Sequence, residues 1–448
     1  MRSEHCLRWI AGIVTLLGGC AIARQYPAPL LGPSARLIEF DRPRDEATAG
    51  GVRDHNPAVT PRNVLVLSGG GMNGAFTAGV LKGWTASGAR PRFDVVTGIS
   101  TGALIAPFAF LGPEYDAELE RLYTSVRREN IIGPRLLCLD SVASSKPLEQ
   151  LIAAGATPEM LHGITLAHRQ GRRLYVGTTN LDTKRLVVWD LGAIASRDSE
   201  ESKALFQRVL LASCSVPALL PPVPIDVEID GKRCTELHVD GGVIASVFLQ
   251  PRMLGIGPNG ELPPIAAPPT VYVVVAGKLG PEIVPTKWEL LSISTESLGA
   301  VFQARTEGDL AQLFLLARYA KANFALTGVR QNLVSKGDCI SFDPQVMRGL
   351  FDEGYRAAKN GTAWQSLPPG LEEQWEAMPR RGTRFASIPG QPSSDPCVPG
   401  KIRITGDDGE PPSSRDKTSA AAGNLQGQRI PSADASPANE AAAQRELQ

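Results

Sequence analysis

The chain has 448 residues, enough for one large domain or two ordinary ones, with 46 basic and 46 acidic side chains and a formal net charge of zero. That balance leaves no basic stripe to neutralise phosphates and argues against nucleic acid as a partner. With 43% hydrophobic residues, the chain can bury a substantial core.

At the N-terminus, Arg2, His5 and Arg8 precede a short apolar stretch, Trp9 to Leu17. It is too brief to cross a bilayer and suits a secretory signal, so residues 1–19 are expected to be a signal peptide. The stretch ends in LLGGC, which resembles a bacterial lipoprotein signal whose cysteine, Cys20, becomes the lipidated new N-terminus. Cleavage after Ala23, giving a secreted protein, is the alternative. Lipidation of Cys20 predicts a protein anchored in the bacterial cell envelope without spanning the membrane, and Ala21 favours, by analogy, the outer membrane. Residues 20–60, rich in Pro, Arg and small residues, read as a tether.

From residue 61 to 285 short apolar runs alternate with helical periods. NVLVLS (63–68), FDVVTG (93–98), RLYVGTTNL (173–181), RLVVWDL (185–191) and TVYVVVAG (270–277) have the β-branched character of buried strands. Helices are expected over 73–86, 101–111, 115–126 and 202–211. Asp230-Gly231 signals a hairpin turn between two alternating runs. The alternation predicts an α/β sheet with helices on both faces. Trp288 to Leu326 opens a C-terminal extension, 286–388, expected to be helical and packed on that core. Residues 389–448, nearly devoid of aromatic and large aliphatic side chains, are expected to be disordered.

Of the seven cysteines, setting aside Cys6 and Cys20 leaves Cys138, Cys214, Cys234, Cys339 and Cys397. The number is odd, so at least one is free or pairs between chains. Cys339 with Cys397 is one disulfide candidate, and buried free thiols are the alternative.

Three glycines, Gly69, Gly70 and Gly71, follow the first strand in SGGGMNGA (68–75). Bare backbone there suits a phosphate cradle, an oxyanion hole or a tight strand-to-helix turn. The phosphate-loop pattern fails, since GGGMNGAF lacks its Lys and hydroxyl, and the dinucleotide pattern lacks an acidic residue at the end of a second strand. GISTG (98–102) has the form G-x-S-x-G at a strand-to-helix junction, the setting of an exposed nucleophilic serine, Ser100. The bland reading is a serine that caps the helix.

A nucleophilic serine needs a base. The α/β-hydrolases run Ser, then Asp or Glu, then His along the chain; of the five histidines none lies beyond His238, which sits on the strand that delivers Asp240, and His162 and His168 read as surface residues of a polar helical stretch. Asp240, followed by Gly241 and Gly242 at a strand end, is the better candidate, although it also suits an Asx turn. In water its carboxylate is a poor base, so the pairing requires contact with Ser100 in a partly desolvated pocket. The amides of Gly69, Gly70 and Gly71 would then stabilise the oxyanion, each such donor being worth about 3 kcal/mol in comparable enzymes.

SGGGMNG with Gly79 following, GISTG, ASCSVPALLPPV (212–223) and DGG (240–242) occur in that order, and VGTTNLDTKRLVVWDLGAIA lies between them. Over roughly residues 61 to 280 this set resembles the patatin-like phospholipase family. The resemblance implies a three-layer α/β/α fold with a mostly parallel central sheet. It implies a catalytic dyad of Ser100 and Asp240, an oxyanion hole from Gly69 to Gly71, and supporting roles for Gly74, Gly98, Gly102, Gly241 and Gly242. It further implies neither metal nor cofactor, and phospholipase A or lysophospholipase-like hydrolysis of membrane-lipid acyl esters. The family's glycine loop commonly carries Arg or Lys where this chain has Asn73, which removes a positive charge near the leaving phosphate and leaves neutral esters or lysophospholipids open. A non-catalytic lipid-binding lipoprotein and an acyltransferase of the same fold are the rival functions.

Overall fold

Strand β1 (Asn63–Leu67) is an unbroken apolar run, and every side chain after Asn63 is buried. Such a run belongs inside a sheet covered on both faces. Its alternate residues enter two separate cores: Leu65 and Leu67 one, Val64 and Val66 the other. The computed structural model describes residues 61–135, 140–229, 232–263, 267–281, 285–330 and 341–371. The expected signal, Cys20, the tether, the Asp230-Gly231 turn, Cys138, Cys339, Cys397 and the C-terminal tail lie outside the described residues.

Around β1 are β2 (Val95–Gly98), β3 (Arg173–Asn180), β4 (Arg185–Asp190), β5 (Val223–Ile229), β6 (Lys232–Asp240), β7 (Thr270–Lys278) and β8 (Asn323–Val329). Their order is β5–β6–β3–β2–β1–β7–β8, with β4 paired to β3. The pairings β1–β2, β1–β7, β2–β3 and β7–β8 are parallel; β3–β4, β3–β6 and β5–β6 are antiparallel. Parallel neighbours need helical crossovers. These are supplied by α1 (Gly74–Ala86) after β1, and by α2 (Thr101–Leu111), α3 (Asp116–Ser125), α4 (Lys146–Gly155) and α5 (Pro158–Arg169) between β2 and β3. Then come α6 (Leu191–Ala195), α7 (Glu200–Ser213), α8 (Leu290–Tyr319) and α9 (Pro344–Lys359). Helices α1, α2 and α7 cover one face, and Leu310, Leu313 and Phe314 of α8 close the other, giving the three-layer α/β/α arrangement.

The C-terminal extension differs from its expectation. It supplies the helices α8 and α9, but Asn323–Val329 is a strand that completes the sheet in parallel with β7. The run NFALTGV is buried in the strand manner, and docking beside β7 satisfies its backbone groups. A boundary at 285 therefore falls inside one sheet. Among the described residues no helix is long and apolar enough to cross a membrane.

Strand β4 occupies one edge of β3. On the other edge β2 pairs with Arg173 to Val176, and β6, running the opposite way, pairs with Thr178 to Asn180. The C-terminal ends of β2 and β6 therefore meet head-on at Gly177.

Candidate active site

Ser100 leaves the end of β2 at that meeting point. Its backbone has φ 53° and ψ −124°, a conformation unfavourable for an L-residue. It is held there by specific bonds. The Ser100 amide donates to Ser213 Oγ at 3.0 Å, and Ser213 in turn donates to the Gly177 carbonyl at 2.8 Å. Small neighbours make the turn possible: a side chain on Gly102 would come within 2.6 Å of the Leu67 and Ser68 carbonyls, and one on Gly98 within 2.5 Å of the Gly102 carbonyl. The Ser100 side chain makes no capping bond to α2, so the capping role is not the one it plays.

Asp240 leaves the end of β6 opposite. Its amide donates to the Ser215 carbonyl at 2.9 Å, and its carboxylate accepts the Gly242 amide at 2.7 Å, so the expected Asx turn is present as well. A side chain on Gly241 would strike the Gly177 carbonyl at 2.6 Å, which keeps the turn tight against β3. Asp240 is buried, 5% exposed. Burial pushes its pKa up from the usual 3.8 to about 6, against the opposing pull of the neighbouring Ser100 side chain and the Gly242 amide, both of which favour the charged form.

The glycine loop lies beside Ser100, because β1 and β2 end level with one another at Leu67 and Gly98. A Cβ built on Gly69 would sit 3.1 Å from that of Ser100. The Gly69 amide, however, makes a long bond of 3.4 Å to the Ser246 carbonyl. Among the described residues, the amides of Gly70 and Gly71 donate to no acceptor. The three glycines expected to act alike are thus unequal. Gly70, at φ 154°, is packed so closely against the Ala276 carbonyl that no side chain fits. Gly74 opens α1 against Thr101 and Tyr123.

The sequence profile described as Patatin-like phospholipase matches residues 65–252. This span holds the glycine loop, Ser100 and Asp240. Residues 65–252 are similar to the patatin-like phospholipase family. Over 64 residues, 14% of this chain and 20% of the relative, the sequence is 50% identical to a protein described as a cUMP-AMP-activated phospholipase from Escherichia coli. Among solved structures, VipD from Legionella pneumophila is similar at 12% identity over 67% of this chain and 66% of that one, with a TM-score of 0.31. The type III effector ExoU is similar at 14% identity over 67% and 54%, with a TM-score of 0.23. The chain therefore spans a fifth of the curated relative and less than two thirds of either solved chain.

Ser100, Asp240 and the glycine loop line a single cavity of about 660 Å³, within the range of small-molecule sites. Leu104 and Phe108 of α2, Leu148 and Ile152 of α4, and Phe206 and Leu210 of α7 form an apolar wall. Cys214 lines it too, donating its thiol to the Ser100 carbonyl at 3.2 Å. Burial, and then Asp240, push that thiol's pKa well up, so it remains protonated and is no rival nucleophile.

His238 is fully buried and engaged with Thr178 Oγ1 at 2.9 Å and Glu236 at 3.1 Å. His162 and His168 lie on α5, where His168 approaches Asp190 at 3.7 Å. Among the described residues no group of His, Cys, Asp and Glu is arranged to hold a metal ion.

Nothing in the sequence alone gives Ser213 and Ser215 a part in the site. Both belong to ASCS at the end of α7, and they brace the backbones of Ser100 and Asp240 respectively. The only signal was the pair of small hydroxyl residues inside a motif read by resemblance alone.

Proposed function

We propose that this protein is a serine acyl hydrolase that cleaves fatty acyl esters of membrane lipids, with Ser100 as nucleophile and Asp240 as general base. The observation that carries the reading is the meeting of β2 and β6, which brings a serine on a strained turn against a desolvated carboxylate inside a largely apolar cavity.

The chemistry follows from the groups present. Ser100 Oγ attacks the acyl carbonyl carbon as its proton passes to an Asp240 carboxylate oxygen. The carbonyl π electrons move onto oxygen, and the resulting oxyanion is met by the unoccupied amides of Gly70 and Gly71. Collapse expels the alcohol, which takes the proton back from Asp240 and leaves an acyl-Ser100 ester. Water, deprotonated by the same carboxylate, attacks that ester and releases the fatty acid, restoring Ser100. A pKa near 6 makes Asp240 a stronger base than an ordinary aspartate while leaving it mostly ionised at neutral pH.

A lipid origin for the substrate is supported by the cavity wall and by its surroundings. Val216, Val243 and Phe302 line the cavity yet remain substantially exposed, and Trp288, Leu290 and Val301 add exposed apolar surface at and just before the first half of α8. Anchoring through lipidated Cys20 would hold such a mouth near an envelope membrane.

The test is fatty acid release by the purified protein, with fluorophosphonate labelling of Ser100 alongside. Loss of both in Ser100→Ala, and of release in Asp240→Asn, is expected. Undiminished release by either variant would refute the pair, and a wild-type protein silent towards both ester and probe would instead identify a non-catalytic lipid binder.

A further inference from the structure

The loop that follows Asp240 runs back along the site. Its Phe248 carbonyl accepts from Thr97 Oγ1 of β2 at 3.0 Å, and its Ser246 carbonyl accepts the Gly69 amide at 3.4 Å. Ser246 also lines the cavity. Its position therefore bears on the glycine loop, whose first member lies against Ser100.

Ser246 is held by α8. Asp309 Oδ2 accepts the Ser246 amide at 2.7 Å, and the same carboxylate is bonded by the Val247 amide. Thr306 bonds Ser246 Oγ at 2.8 Å; its own hydroxyl donates to the Phe302 carbonyl at 2.9 Å, so Ser246 is the donor of the pair. Asp309 is buried, whereas Arg305, 3.2 Å from its other oxygen, is half exposed. Burial pushes the Asp309 carboxyl pKa up, and the two amides and Arg305 oppose it by favouring the charged form. A buried carboxylate is costly unless it is well bonded, and two of the bonds it makes here are to the backbone of the Ser246 loop. Leu310, Leu313 and Phe314, packed in the core, fix the helix that carries it.

The peptide group between Ser246 and Val247 links the two sets of bonds. It is trans, so its C=O and N–H point in opposite directions. With the Val247 N–H held on the α8 side, the Ser246 carbonyl is turned the other way, onto Gly69. We propose that Asp309 is a positioning residue of the oxyanion hole, keeping the Ser246 carbonyl on Gly69 and away from the oxyanion formed at Ser100. This role rests on the hydrolase reading above, and it belongs to a residue beyond the span that matches the family profile. A Ser246 carbonyl released from Asp309 is free to turn towards the cavity, where the negative end of its dipole opposes the charge that the Gly70 and Gly71 amides stabilise. Gly69 loses its tether at the same time, and the glycine loop its alignment with Ser100.

The experiment measures hydrolysis of a p-nitrophenyl acyl ester and the rate of fluorophosphonate labelling of Ser100. The proteins are the full chain, Asp309→Ala, Asp309→Asn and Leu313→Ala, at a temperature where circular dichroism shows each to be folded. Asp309→Ala is expected to lose about tenfold to a hundredfold in kcat with KM little changed, and to label more slowly by a similar factor. Asp309→Asn keeps one acceptor for the loop and is expected to lose less. Leu313→Ala removes core packing from the same helix and no hydrogen bond of the loop, and is expected to keep the wild-type kcat. Wild-type kcat in Asp309→Ala, a change confined to KM, or an equal loss in Leu313→Ala overturns the positioning role and leaves the hydrolase reading standing. A wild type silent towards both ester and probe overturns the hydrolase reading, and the role of Asp309 with it.

Discussion

Replacing Asp240 by Asn should abolish hydrolysis and at the same time stabilise the fold. The native carboxyl has its pKa raised to about 6 from the usual 3.8, chiefly by burial. With each unit of pKa worth about 1.4 kcal/mol, an ionised Asp240 lowers stability by about 3 kcal/mol above pH 6. The sign follows from proton binding. Between pH 6 and pH 4 the folded state holds this proton more tightly than the unfolded chain, so the penalty shrinks as pH falls and is gone below pH 4. Asn carries no charge and still offers an oxygen to the Gly242 amide, which now donates to the carboxylate at 2.7 Å. Urea unfolding of wild type and Asp240→Asn at several pH values isolates the effect, because the titration of every other group is common to both proteins. The variant should be the more stable by up to about 3 kcal/mol at pH 7.5, with the difference fading towards pH 4. A variant less stable than wild type at pH 7.5, or a difference that does not change with pH, would refute the account of a desolvated base. The same ionisation should appear as the ascending limb of the wild-type kcat/KM profile, with its midpoint near pH 6.

Other changes probe the remaining parts of the site. Gly70→Ala would force a side chain into the Ala276 carbonyl and displace an oxyanion donor, so kcat should fall about 100-fold or more with little change in KM, measured on protein shown to be folded by circular dichroism. Ser213→Ala removes the acceptor of the Ser100 amide, a part-buried bond, and the buried donor to Gly177; about 1–3 kcal/mol of stability should be lost, and fluorophosphonate labelling of Ser100 should slow in step with hydrolysis. Leu210→Trp would fill part of the apolar wall, shifting preference from long-chain towards short-chain esters in a competition assay, whereas an unchanged preference would place the acyl chain elsewhere.

The parts of the site that could be read from the sequence are those encoded locally in the backbone. A glycine triplet after a buried strand, a serine between glycines at a strand-to-helix junction and an aspartate before two glycines each announce an unusual turn within a few residues. What escaped reading is encoded by partners distant in sequence. Nothing near Gly69 indicates that its amide turns to Ser246, because that carbonyl is placed by Asp309 of α8, whose carboxylate accepts the Ser246 amide at 2.7 Å. Strand β8 falls inside the region expected to be helical because a short apolar run following a long helical period looks like its continuation. Tertiary pairing with β7 decided otherwise.

The same division explains why a profile that ends at residue 252 does not contain the whole site. Ser100, Asp240 and the glycine loop lie within it, yet β7 packs against Gly70, and α8 supplies both the Asp309 brace on the Ser246 loop and part of the cavity lining. Removing the chain beyond the matched span would leave Gly69 and Gly70 without their supports and one face of the sheet without Leu310, Leu313 and Phe314. The residues of the candidate site lie in the matched span, and part of what holds them rigidly in place lies beyond it.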